Sequence, residues 1–303
     1  MTTNSATQPK VSQVMHRRIT VDGINVFYRE AGPSDAPTIL LLHGFPSSSH
    51  MFRKLIPQLA QDFHLVAPDL PGFGFTELQS RGEFAYTFDN LAKVIERFTE
   101  AVSLTTYAIY VFDYGAPVGF RLALAHPERV TAIISQNGNA YDEGLSTNWD
   151  AIQRYWREPT QEHRDAIRTL LTLEATKWQY VHGVADEALM APESWTLDFA
   201  LLQRPEVDEI QLDLFLDYGK NVALYPTFHD YFANRQPRLL AVWGRNDPFF
   251  LPAGAEAFKR DIPAADVRFF DTGHFALETH YLEIAAAIRE FLDREHRLSS
   301  SGA

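Results

Sequence analysis

The chain contains no cysteine in 303 residues. Disulfides, thiolate nucleophiles and cysteine-ligated zinc are therefore excluded. Positive charge is also short. Lys and Arg number 27 against 39 Asp and Glu, a formal net charge of -12. Nucleic acid and anionic membranes are poor partners for such a chain. No apolar run approaches the length of a membrane span. The opening "MTTNSATQPKVSQ" lacks an apolar signal core. The expectation is a cytoplasmic protein with no nucleic-acid or membrane partner, and a homodimer is compatible with this class. The polar ends, roughly 1–13 and "RLSSSGA", read as frayed. No internal repeat occurs, and low complexity is confined to the tails.

Apolar residues, by contrast, make up 46 % of the chain, enough for a sizeable core. The length is long for one core and short for two, so one domain carrying an insertion fits. Phe occupies 22 positions. Most belong in the core, and some can line an aromatic pocket.

"HRRITVDGINVFYREAG" reads as two strands about the turn Asp22-Gly23. "APTILLLHGFP", "FHLVAPDLPGFGFT", "TYAIYVFDYG" and "VTAIISQNG" are apolar runs of the kind buried on both faces of a parallel sheet. Between them lie helical patterns: "SHMFRKLIPQLAQ" with Ser49 as cap, "TFDNLAKVIERFTEAVSL", and Gly115–His126. The rhythm stops from about Ala140 to Ala233, where the patterns are helical and rich in Tyr and Trp. It resumes with "PRLLAVWGRNDPFF", "AGAEAFKRDI", "DVRFFDTGH" and "LETHYLEIAAAIREFLDREH". The fold class is therefore α/β with a mostly parallel sheet. The core spans 14–139 and 234–297, and a helical cap, 140–233, follows the sixth strand.

Charged or polar groups end three buried strands: Asp113 after "YVF", Asp247 after "AVWGRN" and His274 after "FFDTG". In an open α/β sheet such positions face the ligand crevice. Nucleophile, acid and histidine in that chain order can form a triad. A carboxylate attacks sp3 carbon when the leaving group departs readily, giving an ester on Asp113. His274 then takes a proton from water, and Asp247 fixes its tautomer. Backbone N–H groups of Phe45 and Tyr114 hold the oxyanion. His43 reads as a structural strand-end histidine, and Asp69 and Asp271 as loop-fixing residues. His182, His229 and His280 are too dispersed for a metal site. No metal or cofactor is expected.

Taken together, "LLLHGFP", "APDLPGFGFT", "WGRNDPF" and "DTGHFALE" resemble the oxyanion, following, acid and histidine segments of the α/β-hydrolase fold over residues 15–297. Asp at the elbow makes the chain most similar to the epoxide hydrolase and haloalkane dehalogenase branch. Val111 departs from the small residue usual two before the nucleophile. Haloalkane dehalogenases typically carry Trp after the nucleophile and a second donor such as Asn after His-Gly. Here those places hold Tyr114 and Phe45. Fluoroacetate dehalogenases carry Arg soon after the nucleophile, and here none precedes Arg121.

The resemblance thus implies an epoxide hydrolase forming vicinal diols, with haloalkane dehalogenation as the alternative. It further implies ring-opening tyrosines in the cap. Tyr225 in "NVALYPTF" is the better match, and Tyr155 in "IQRYWREP" lies three residues past Ile152, the aligned place. Trp156 and Trp149 line the pocket in this reading, and Trp149 is also a possible halide donor. The aromatic cap predicts a small, uncharged, apolar substrate. A plain esterase is disfavoured by Asp113, and a turnover-deficient binding protein by the intact Asp, Asp and His.

Overall fold

The computed structural model describes residues 13–300, with side chains through residue 293. The reading of residues 1–12 and 301–303 lies outside the described residues. The strands are β1 (Met15–Val21), β2 (Ile24–Ala31), β3 (Thr38–Leu42), β4 (His64–Pro68), β5 (Tyr107–Phe112), β6 (Val130–Gln136), β7 (Leu239–Gly244) and β8 (Asp266–Phe270). They form one sheet in the order β1-β2-β4-β3-β5-β6-β7-β8. β1 and β2 make an antiparallel hairpin, whose turn residues Asp22 and Gly23 both take positive φ, 47° and 84°. β2 pairs antiparallel with β4, and the remaining pairings are parallel.

Strand periodicity sorts the core into two layers. Ile39, Leu41, Ala108, Tyr110 and Phe112 face one side of the sheet, and Leu40, Leu42, Ile109 and Val111 the other. All are buried. Helices cover both faces, so these strands have no solvent side and read as continuous apolar runs. The first layer is closed by α1 (Leu55–Leu59) and later by α11 (Ala276–Thr279) and α12 (Tyr281–Ser300). The second is closed by α2 (Phe88–Ala101), α3 (Gly115–Ala125) and α10 (Pro252–Asp261). Thr87 caps α2 by accepting from Asn90 N–H, and Phe88, Leu91, Ile95 and Phe98 form its buried stripe.

Three local expectations change. "SHMFRKLIPQLAQ" is not one helix but a 3-10 turn, Ser49–Arg53, followed by α1. Pro57 cannot donate to the Arg53 carbonyl, which ends a continuous ladder there. The cap is Ser48, whose hydroxyl accepts from His50 N–H, while Ser49 Oγ accepts from Arg29. At the other end, α12 continues through Arg297–Ser300, which read as frayed.

Between β6 and β7 lie α4 (Asp150–Arg157), α5 (Gln161–Ile167), α6 (Leu173–Val181), α7 (Pro192–Leu202), α8 (Val207–Ala223) and α9 (Tyr225–Arg235). α8 and α9 are separate helices that meet at Leu224. Pro226 sits in the first turn of α9, where its missing N–H removes no bond. α9 packs back onto the sheet's own helices. Phe120 of α3 lies 5.4 Å from both Phe228 and Phe232, and Phe232 lies 5.6 Å from Phe258 of α10.

Candidate active site

Asp113 stands between β5 and α3 with φ 48°. A non-glycine residue there costs roughly 1–3 kcal/mol and persists only where its surroundings impose it. The surroundings are glycines. A Cβ on Gly115 would lie 2.2 Å from the Leu42 carbonyl oxygen, and one on Gly44 would lie 2.4 Å from Asp113 Oδ1. Val111 also finds its explanation. A Cβ on Gly119 would lie 2.4 Å from Val111 Cγ1, so the branched side chain fills space that glycine leaves one helical turn into α3. The small residue is still present, moved from the strand to the helix.

The Phe45 N–H donates to Asp113 Oδ1 at 2.6 Å, and the backbone N–H of the adjacent Tyr114 helps to lower this carboxyl's pKa. His274 Nε2 lies 3.9 Å from Asp113 Oδ2, beyond hydrogen-bond length. On its other side, His274 Nδ1 is 2.8 Å from Asp247 Oδ2. A carboxylate oxygen accepts, so Nδ1 is the donor in this hydrogen bond and Nε2 is the nitrogen left toward Asp113. Asp247 is itself held by Asn137 Nδ2 at 2.6 Å and by the Phe249 N–H at 2.8 Å. Asn137 follows β6 at φ 46°, and its Oδ1 accepts from the Gly244 N–H at 3.0 Å. Gln136 accepts from the Tyr110 hydroxyl and donates to the His274 carbonyl at 3.3 Å.

Burial pushes the Asp113 carboxyl up to about 6. His274 and the N–H groups of Phe45 and Tyr114 restrain that rise, and Asp247 adds to it. For His274, burial acts downward, but the charge and hydrogen bond of Asp247, with Asp113, leave it raised. Burial, with the Asp113 charge, holds the Tyr114 hydroxyl well above the tyrosine range. Among the described residues that hydroxyl has no hydrogen-bond partner.

A cavity of about 30 Å³ is lined by Phe45, Asp113, Tyr114, Trp149, Ile152, Leu170, Gln179, Phe215, Phe249 and His274. The helical stretch after β6 thus meets the strand ends at Asp113. Trp149 reaches the cavity, but its indole N–H donates to the Phe249 carbonyl at 3.2 Å and is not free for a halide. The other three aromatic expectations are corrected. Tyr155 turns away, and its hydroxyl accepts from Arg164 at 2.8 Å. The aligned position, Ile152, takes the cavity place. Trp156 lies behind, its N–H given to the Phe215 carbonyl at 2.7 Å. The Tyr225 hydroxyl accepts from Asn139 at 3.2 Å and pairs with Tyr218, not with the cavity. Each aromatic sits on an amphipathic helix whose rotation the local pattern left open.

His43 is structural, as expected. Its Nε2 accepts from the Leu70 N–H at 2.9 Å. Asp69 accepts from the N–H groups of Ser49 and Phe75, and Asp271 from Asn246. Two residues went unnoticed in the sequence. Asn137 carried a faint signal, an Asn-Gly pair at a strand end. Gln179, in "KWQYV", carried none.

A family model described as the alpha/beta hydrolase fold matches residues 37–281. The chain is 47% identical over 277 residues to the uncharacterized hydrolase YNR064C of Saccharomyces cerevisiae, covering 90% of this chain and 95% of the relative. It is 31% identical over 163 residues to a haloalkane dehalogenase of Bradyrhizobium diazoefficiens, covering 53% of this chain and 50% of that one. The epoxide hydrolase CorEH superposes with a TM-score of 0.77 at 16% identity, over 93% and 99% of the two chains, and so shares the fold. Sheet order, elbow and family match agree, and the chain belongs to the α/β-hydrolase fold family as a hydrolase.

Proposed function

We propose that the chain opens small epoxides to vicinal diols through an ester on Asp113. What carries the reading is the state of the Asp113 carboxylate. It accepts from the Phe45 N–H at 2.6 Å and lies 3.9 Å from His274, beyond hydrogen-bond length, so its second oxygen is not tied up by the histidine. Asp113 attacks a ring carbon, the C–O bond breaks, and the oxygen leaves as an alkoxide that takes the Tyr114 proton. His274 then takes a proton from water while the hydroxide adds to the ester carbonyl. The N–H groups of Phe45 and Tyr114 hold the resulting oxyanion. Collapse expels the diol oxygen, which takes the proton from His274. The proton left on the regenerated carboxyl returns to Tyr114.

Tyr114 takes the role first expected of Tyr225 and Tyr155. Tyr114 lines the cavity with Asp113, and its buried hydroxyl has no hydrogen-bond partner among the described residues. Tyrosine can protonate an alkoxide, whereas indole cannot. A halide needs donors only, and the cavity's indole N–H is already engaged. Haloalkane hydrolysis by the same nucleophile is the second reading, supported by the likeness to the Bradyrhizobium dehalogenase. Diol formation from a panel of small epoxides, assayed beside halide release from haloalkanes, tests the order. Diol without halide is expected. Halide with no diol from any epoxide reverses it.

A further inference from the structure

Gln179 lies on α6, 4 % exposed, and lines the same cavity as Asp113 and His274. Among the described residues no hydrogen bond reaches its carboxamide. A primary amide offers two donors and two acceptor sites, and the Gln179 amide is not among the sealed atoms that lack a partner, so it stays accessible on the cavity lining. Gln179 cannot escape by moving its helix. The neighbouring Tyr180 ring stacks on Phe275 at 3.7 Å and 7°, and its hydroxyl donates to buried Asp198 at 2.5 Å. At the end of α6 the chain presses against both catalytic loops. A Cβ on Gly273 would lie 1.9 Å from the His182 carbonyl oxygen, and one on Gly183 would lie 2.5 Å from that of Asn246. These contacts fall one residue before His274 and one before Asp247. The helix that carries Gln179 is therefore set in a fixed relation to the reacting groups.

The remaining cavity residues from the helical stretch are Trp149, Ile152, Leu170 and Phe215. The Trp149 N–H is spent. Gln179 is thus the free polar group that this stretch offers to a ligand. The lining has no charged group besides Asp113 and His274, so the complementary ligand group is neutral.

We propose that Gln179 is a substrate-contacting, specificity-determining residue, and that the preferred substrate is an uncharged epoxide bearing a hydrogen-bonding oxygen on its substituent. This rests on Asp113 alkylation as read above. It revises the apolar substrate expected from the aromatic content of the stretch. A ligand that covers this amide without pairing it loses the amide's hydrogen bonds to water, so the site rejects such an analogue.

The test compares near-isosteric small epoxides, methyl glycidyl ether against 1,2-epoxyhexane's shorter homologue 1,2-epoxypentane, and glycidol against 1,2-epoxybutane. The wild-type chain is expected to favour the oxygenated member by about 10-fold or more in kcat/KM. Gln179→Met, close in size and shape, is expected to bring each ratio to near one. Both substrates meet the same protein, so a loss of folded enzyme cancels in the ratio, and a purely structural role would leave it unchanged. A wild-type ratio near one, or a ratio retained in Gln179→Met, overturns the proposal. If neither epoxide is opened but halide is released, the epoxide reading fails on its own. The Gln179 assignment is then judged by the same ratio on 2-chloroethyl methyl ether and 1-chlorobutane.

Discussion

At the scale of single residues, the proposed mechanism divides the chemistry between Asp113 and Tyr114. In it Asp113 reacts as the carboxylate, whose pKa burial pushes up to about 6. The single-turnover alkylation rate is therefore predicted to rise about 10-fold per pH unit up to that value and to level off above it. Ester hydrolysis needs neutral His274, whose pKa is raised. Ester is thus expected to accumulate under mildly acidic conditions, where the nucleophile is ionised and the base is still protonated. Rapid-quench kinetics across pH reads both steps. An alkylation rate independent of pH through this range would contradict the assignment. Tyr114→Phe removes the acid and keeps the backbone N–H. It is predicted to slow alkylation by about 10²–10⁴-fold while leaving ester hydrolysis nearly intact. Its folding stability should not fall, because the hydroxyl has no partner to lose. Equal slowing of the two steps would remove Tyr114 from the role.

At the scale of elements, α6 and α7 join the helical stretch to the sheet through a buried polar cluster. Arg53 forms a bidentate pair with Glu278 and donates to Ser194 of α7, each at 2.8 Å. Beside it, burial above all pushes the Asp198 carboxyl up to about 8, with Glu278 adding to the rise and Tyr180 and Arg53 opposing it. Asp198 is therefore protonated in the folded chain at neutral pH and ionised once unfolded, so folding takes up a proton. Its contribution to stability is whole below the ordinary carboxyl value of 3.8 and is lost as pH rises to about 8. Asp198→Asn cannot ionise and still accepts from Tyr180. In urea titrations the variant is predicted to gain on the wild type as pH rises from about 4 to 8, by on the order of a few kcal/mol. A difference independent of pH would show that Asp198 is ionised in the folded chain.

At the scale of the whole molecule, the sequence exposed the parts ruled by backbone periodicity. β3 and β5 read clearly because both faces are buried. Asp113, Asp247 and His274 were legible because they follow the carboxyl ends of β5, β7 and β8, where topology assigns the crevice, although β8 is only half-buried. The helical stretch was legible as helix but not in its rotation. Tyr155 and Ile152 lie three residues apart on α4, and only tertiary contacts with Arg164 decide which one faces the cavity. Gln179 stayed hidden for the same reason, since an amide on an amphipathic helix looks like a surface residue. Val111 looked like a defect because its partner, Gly119, is eight residues away across the elbow.

The central claim is a covalent ester on Asp113. Its most direct test is intact-protein and peptide mass spectrometry of His274→Gln incubated with a small epoxide. The variant can alkylate but cannot activate water. The account predicts a gain equal to the full mass of the epoxide, located on the peptide containing Asp113 and absent when Asp113→Asn is added. No mass gain with any epoxide, or a gain that survives Asp113→Asn, would contradict it.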